Sequence, residues 1–192
     1  MDIYELKEYI KSTTDTYDTE SLKPIKDKLS LETYKNINLA LKKTIETGKE
    51  HGFSLCSNHE IISGDMCEGD ECCIPMTLAN SCPESNRHVL GQFHTHPNCS
   101  TPYGDIMASL RDLQLGLMHK LRGESSGIVC VAEGKNPEHM QCYIPKYNLD
   151  IPTDIILQIL YGRHPQNIYK FLFFAYDVEN IIIKEAIKNK TK

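Results

Sequence analysis

Two histidines stand one residue apart, His94 and His96, in the stretch Phe93-His94-Thr95-His96-Pro97, with Asp105 a short way downstream. On a β-strand, side chains at i and i+2 share a face, so two imidazoles can converge on one ion. Pro97 has no N–H for a ladder and ends the strand. The chain can then turn and bring Asp105 to the ion from the start of the next helix. Two imidazole nitrogens and one carboxylate oxygen, with water fourth, make an open tetrahedral zinc site. Such a site is catalytic in kind, because the metal lowers the pKa of its water to about 7. The competing reading has two ordinary strand histidines and Asp105 at a helix dipole. Against it stands the apolar character of Val89, Leu90 and Phe93, since buried imidazoles need partners.

A site of this kind also needs a base to take the proton of the water. Glu50 is the candidate. It lies where an amphipathic helix gives way to the strand His51-Gly52-Phe53-Ser54-Leu55, facing an adjacent strand. Spacing alone does not select it over Glu60. His51, next along the strand, points to the opposite face.

The elements that would position these groups are partly legible. Ser30 is an expected N-cap for a helix over Leu31–Thr47, with Leu31, Tyr34, Ile37, Leu41 and Ile45 at helical steps and Gly48 at its C-terminal end. Two apolar runs around Asn58-His59 read as a strand pair. Residues 64–86 read as loop. A strand is expected to end at Pro97, and a helix to follow from Ser100 or Thr101 as cap, with Pro102 in its first turn, through residue 121. Residues 127–134 and 140–147 read as strands. From Asp150 on, the pattern is helical, including Pro165–Tyr176. Strands and helices alternate through the centre, so the fold class is α/β or α+β.

The blocks Glu50-His51-Gly52-Phe53-Ser54-Leu55, Gly91-Gln92-Phe93-His94-Thr95-His96-Pro97 and Thr101-Pro102-Tyr103-Gly104-Asp105-Ile106 together resemble the JAMM (MPN+, JAB domain) family of zinc metalloproteases. That family carries Glu, then His-Ser/Thr-His-Pro, then Ser-x-x-Asp. The resemblance covers roughly residues 31–146. It implies a cytidine-deaminase-like MPN core, a mixed sheet flanked by helices, over residues 30–149, with helical extensions at 1–29 and 150–192. It implies His94, His96 and Asp105 as zinc ligands and Glu50 as the acid/base that activates water and protonates the leaving amine. The family's serine falls on Pro102, which has no hydroxyl, so Ser100 or Thr101 is expected to steady the oxyanion. The other alignment takes Ser109-Leu110-Arg111-Asp112, keeps Ser-x-x-Asp and lengthens the loop. Asp105 is preferred on the expected helix start, which would bury Asp112 about two turns inside the helix. The implied activity is isopeptide or peptide hydrolysis on a ubiquitin-like or small sulfur-carrier protein, in the manner of a deubiquitinase. The C-terminal helices offer a surface for a protein partner.

Composition narrows the alternatives. The chain has 192 residues and a formal net charge of −5, which gives no basic footprint for nucleic acid. No apolar run approaches the ~20 residues that span a bilayer. The N-terminus lacks the apolar region of a secretory signal, so a cytoplasmic location is expected. Eight cysteines are many for such a chain. Cys67, Cys72, Cys73 and Cys82, with or without His59, could form a structural zinc site or disulfides, or stay free thiols. Cys130 reads as a small core residue. The alternative to an enzyme is a non-catalytic scaffold of the same fold, with structural zinc or disulfides in the cysteine-rich segment. A barrel-type amidohydrolase needs more strands after His-x-His than this chain has room for.

Overall fold

A computed structural model of the protein describes residues 29–58, 60–70, 82, 88–97, 108–133, 136–145 and 172–179. Within these, two helices pack on one mixed sheet. Helix α1 spans Leu31–Thr47, and strands β1 (His51–Asn58), β2 (Glu60–Ser63), β3 (Cys67–Glu68) and β4 (His88–His96) follow. Helix α2 (Leu110–Leu121), β5 (Ile128–Glu133), β6 (Asn136–Pro145) and β7 (Phe173–Glu179) complete the order. The strands lie in the order β2-β1-β4-β5-β6-β7, with β3 paired to β1. Only β4 and β5 run parallel, and α2 makes the crossover between them. The fold is therefore mixed α+β.

Helix α1 begins and ends on the residues its caps require. The Ser30 hydroxyl accepts from the Thr33 N–H at 3.1 Å, satisfying an otherwise orphaned donor. Gly48 sits at φ 70° in the left-handed region and donates to the Thr44 carbonyl at 2.9 Å. The buried stripe differs from the expected one. Thr33, Ile37, Ala40, Leu41 and Thr44 face the sheet, whereas Leu31 and Ile45 are exposed.

Helix α2 starts later than expected. Ala108 and Ser109 are not helical, and Ser109 caps a helix whose first residue is Leu110. Ser109 and Asp112 form a reciprocal capping box, two hydrogen bonds that a start at Ser100 or Thr101 would not supply at this point. Residues 173–179, expected to be helical, form β7 and extend the same sheet antiparallel to β6. A run of Phe, Ala, Tyr and Val suits a pleated surface, and the open edge of β6 offers it a ladder. The remainder of 150–192, apart from Leu172, and all of 1–28 lie outside the described residues.

Strand alternation divides the sheet into two faces. Phe53, Leu55, Phe93, Cys130, Ala132, Cys142 and Ile144 join Ile37, Ala40 and Leu41 of α1 in the core. The Phe53 and Phe93 rings lie 4.9 Å apart at the centre of this layer. The opposite face meets α2, where a Cβ added at Gly116 would lie 2.8 Å from Val129 Cγ2. Cys130, expected to be an unbonded core residue, is joined to Cys142, directly across the β5–β6 ladder.

Candidate metal centre

His94 and His96 end β4 on the α2 face of the sheet. Both are almost fully buried. Strand alternation aims the two rings the same way, and their Nε2 atoms stand 3.2 Å apart. The carboxylate that meets them is Asp112. Its Oδ2 lies 3.4 Å from His94 Nε2 and 3.6 Å from His96 Nε2. These are the three groups that could hold a metal ion among the described residues.

Asp112 is placed by the local logic of its helix. The Ser109 N–H donates to Asp112 Oδ2 at 2.7 Å, and the Asp112 N–H donates to Ser109 Oγ at 3.2 Å. The capping box holds the carboxylate at the mouth of the first turn, not two turns inside. Ahead of the helix, the Ala108 N–H donates to the Tyr143 hydroxyl at 3.4 Å, anchoring this end to β6. The Ser-x-x-Asp spacing thus arises from Ser109 and Asp112. Asp105, Ser100 and Thr101, the preferred sequence candidates, lie outside the described residues. Asp112 does not lie deep in a helix, because that helix begins at Leu110.

The three donor atoms fit a tetrahedral ion. Zinc bonds of about 2.0–2.1 Å at tetrahedral angles put neighbouring ligand atoms about 3.3–3.4 Å apart. The observed separations of 3.2, 3.4 and 3.6 Å bracket that edge. Two imidazole nitrogens and a carboxylate oxygen held this close share either a proton or a cation: an imidazole N–H can donate to Asp112 Oδ2, and a metal ion can take the place of that proton. The remaining ring nitrogens, Nδ1 of His94 and of His96, are buried without a hydrogen-bond partner among the described residues.

Glu50 completes the constellation. It precedes β1 and is buried, with Oε1 3.8 Å from His96 Nε2. Its backbone is pinned on the β3 side: the Glu50 N–H donates to the Asp70 carbonyl at 2.7 Å, and the Gly69 N–H donates to the Glu50 carbonyl at 2.8 Å. Gly52 lets β1 come this close to the ligand strand. A Cβ there would lie 2.4 Å from the Phe93 carbonyl oxygen and 2.9 Å from His94 Cβ. Glu60, the competing candidate, lies at the far end of the hairpin, exposed on β2 and paired with Asn58.

The electrostatics separate the two carboxylates. Burial pushes the Glu50 carboxyl up from 4.5 to about 7, against the opposing pull of His96 and with smaller raising effects from Asp112 and Asp70. Burial acts on Asp112 in the same direction, but the charge of His94 and hydrogen bonds from His94, His96 and Ser109 outweigh it. They hold its carboxyl far below the usual aspartate range. One carboxylate stays anionic beside the histidines while the other is poised to exchange a proton near neutrality.

The cysteine-rich segment contributes no ligand to this centre among the described residues. Cys82, a candidate for a structural zinc site, is bonded to Cys56 of β1, and Cys67 is free. Cys72, Cys73 and His59 lie outside the described residues. Among the described residues no helix is long and apolar enough to cross a membrane. No protein-family model matches the chain, and a search of curated proteins finds no match to it.

Proposed function

We propose that the protein is a zinc-dependent hydrolase of peptide or isopeptide bonds, with His94, His96 and Asp112 as metal ligands and Glu50 as acid/base. The observation that carries this reading is the meeting of three ligand atoms at tetrahedral spacing beside a buried carboxyl raised to about 7. A bound divalent zinc supplies Lewis-acid polarisation of a carbonyl and acidifies a water. Glu50 would accept the proton of the attacking water as the carbon–oxygen bond forms, and would donate it to the leaving amine as the carbon–nitrogen bond then breaks. Ser109 stands three residues before Asp112, as in the family that the motif resembles. Its hydroxyl accepts from the Asp112 N–H and retains its own hydrogen to donate to the developing oxyanion. This role, given in the sequence reading to Ser100 or Thr101, thereby passes to a residue beside the centre.

The resemblance supports a ubiquitin-like or small sulfur-carrier protein as substrate, cleaved from a lysine side chain or from its own C-terminal extension. The deciding experiment is elemental analysis of wild type and His94→Ala/His96→Ala, followed by hydrolysis of ubiquitin-like fusions. One zinc in wild type, lost in the double variant together with cleavage, is expected. A wild type that takes up no zinc when it is supplied would overturn the reading.

A further inference from the structure

The side of β4 away from the ligands carries Thr95, which is completely buried. The backbone ladder between β1 and β4 runs as far as Gly52↔His94 and stops. The next rung would pair His51 with Thr95. There the Thr95 side chain takes over: the His51 N–H donates to Thr95 Oγ1 at 2.9 Å, and Thr95 Oγ1 donates to the His51 carbonyl at 3.1 Å. One hydroxyl thus satisfies both backbone groups that His51 turns toward β4. Glu50, one residue earlier, turns its own backbone groups the other way, to residues 69 and 70.

A third partner ties the hydroxyl to the helix layer. Thr44 Oγ1 of α1 lies 2.5 Å from Thr95 Oγ1 and 3.1 Å from His51 Nδ1. His51 Nδ1 also donates to the Lys49 carbonyl at 3.1 Å, which fixes the proton on that nitrogen. Thr44, His51 and Thr95 are each at most 1 % exposed. They form a buried polar knot behind the metal centre, joining α1, the strand that follows Glu50 and the strand that carries both histidines. The hydrogen bonds of the network are on the Nδ1 side of His51, and its Nε2 lies 3.4 Å from Glu68 Oε2.

We infer that Thr95 is a positioning residue for the metal centre: its hydroxyl replaces the missing ladder rung and so fixes the orientation of His94 and His96 relative to Glu50. The inference rests on the proposed His94–His96–Asp112 site. On its other edge β4 stays paired with β5 as far as His96↔Glu133, but toward β1 the ladder ends at Gly52↔His94, so the tie between the end of β4 and the strand that follows Glu50 is the Thr95 side chain. Among the described residues neither ligand histidine has a hydrogen-bond partner at Nδ1, and Thr95 is the side chain that ties their strand to the one following Glu50. That places the burden that outer partners of a metal ligand ordinarily carry on Thr95.

The test uses full-length wild type, Thr95→Val, Thr95→Ser, Thr44→Val and, as a core control away from the knot, Ile37→Val. Cobalt(II) affinity is measured by competition with a chromophoric chelator, the visible ligand-field spectrum is recorded, and Tm is followed by circular dichroism. Thr95→Val is expected to lose about 10–100-fold in cobalt affinity and to shift the ligand-field bands. Thr95→Ser, which restores the hydroxyl, should stay within about threefold of wild type. Ile37→Val should lower Tm and leave affinity and spectrum unchanged. Wild-type affinity and spectrum in Thr95→Val would overturn the inference, as would an equal loss in Ile37→Val. Should Thr95→Val not fold, Thr44→Val decides: a shifted spectrum with severalfold weaker binding supports the role, and an unchanged one overturns it. A wild type that binds no cobalt or zinc would instead remove the metal site itself, an outcome separable from all of these.

Discussion

Glu50 shows how one residue's surroundings set its chemistry. A carboxyl at the surface ionises near 4.5, but burial raises this one to about 7. In the metal-free protein the folded state therefore holds the Glu50 proton more tightly than the unfolded chain. The stability this contributes is complete below pH 4.5 and is lost as pH rises through 7. The slope across that window is about 1.4 kcal/mol per pH unit for a single group. Asp112 acts with the opposite sign, since its carboxyl is held low: its contribution is present above about pH 4 and lost as pH falls. Denaturant unfolding of the metal-free protein at pH 5 and pH 8 should show lower stability at pH 8, and Glu50→Gln should flatten that difference. Zinc should reverse it, because a nearby dication favours the ionised carboxylate. Glu50→Gln should also retain zinc while cleavage falls by about 10²–10⁴. Equal pH dependence in wild type and Glu50→Gln would mean another group governs the slope.

At the scale of elements, the sequence was most informative where the local chemistry is self-contained. Ser30 and Gly48 bracket α1 as their capping chemistry requires, and the alternation of His94, Thr95 and His96 separates ligands from knot. The start of α2 was harder to read. Thr101-Pro102 has the form of a helix start, and nothing local distinguishes it from Ser109-Leu110-Arg111-Asp112, where the capping box forms. The aromatic run of β7 fits a buried helix or a strand equally, and only the free edge of β6 decides. The Cys130–Cys142 pair depends on the β5–β6 register, which no local pattern states. The choice of third ligand follows from the helix start, and it is directly testable. Asp112→Ala should lose zinc, because it removes the only carboxylate brought to both histidines among the described residues. Asp105→Ala should keep it. The reverse result, by elemental analysis of both variants, would return the ligand to Asp105.

At the largest scale, the centre lies at one end of a sheet packed, among the described residues, between two helices and fastened by two disulfides. Cys56–Cys82 closes a span of 26 residues and Cys130–Cys142 one of 12. In the chain-entropy account, loops of that length are worth about 3.5 and 3 kcal/mol, chiefly by restricting the unfolded chain. Such bonds persist in oxidising compartments and in the cytosol of hyperthermophiles, whereas an ordinary reducing cytosol keeps thiols free. The expected cytoplasmic setting is thus compatible with these pairs only in the second case. Cys56→Ala/Cys82→Ala and Cys130→Ala/Cys142→Ala should each lower Tm, the first by more on the loop argument, and reduction of wild type should lower it further than either pair alone. Neither pair touches His94, His96 or Asp112, so metal stoichiometry below the melting transition should stay unchanged. If Cys56→Ala/Cys82→Ala released the metal without unfolding the chain, the segment after β3 would have to hold Glu50 and the ligand strand together. In that case the backbone bonds from residues 69 and 70 to Glu50, and not the helix caps, would be what the centre depends on.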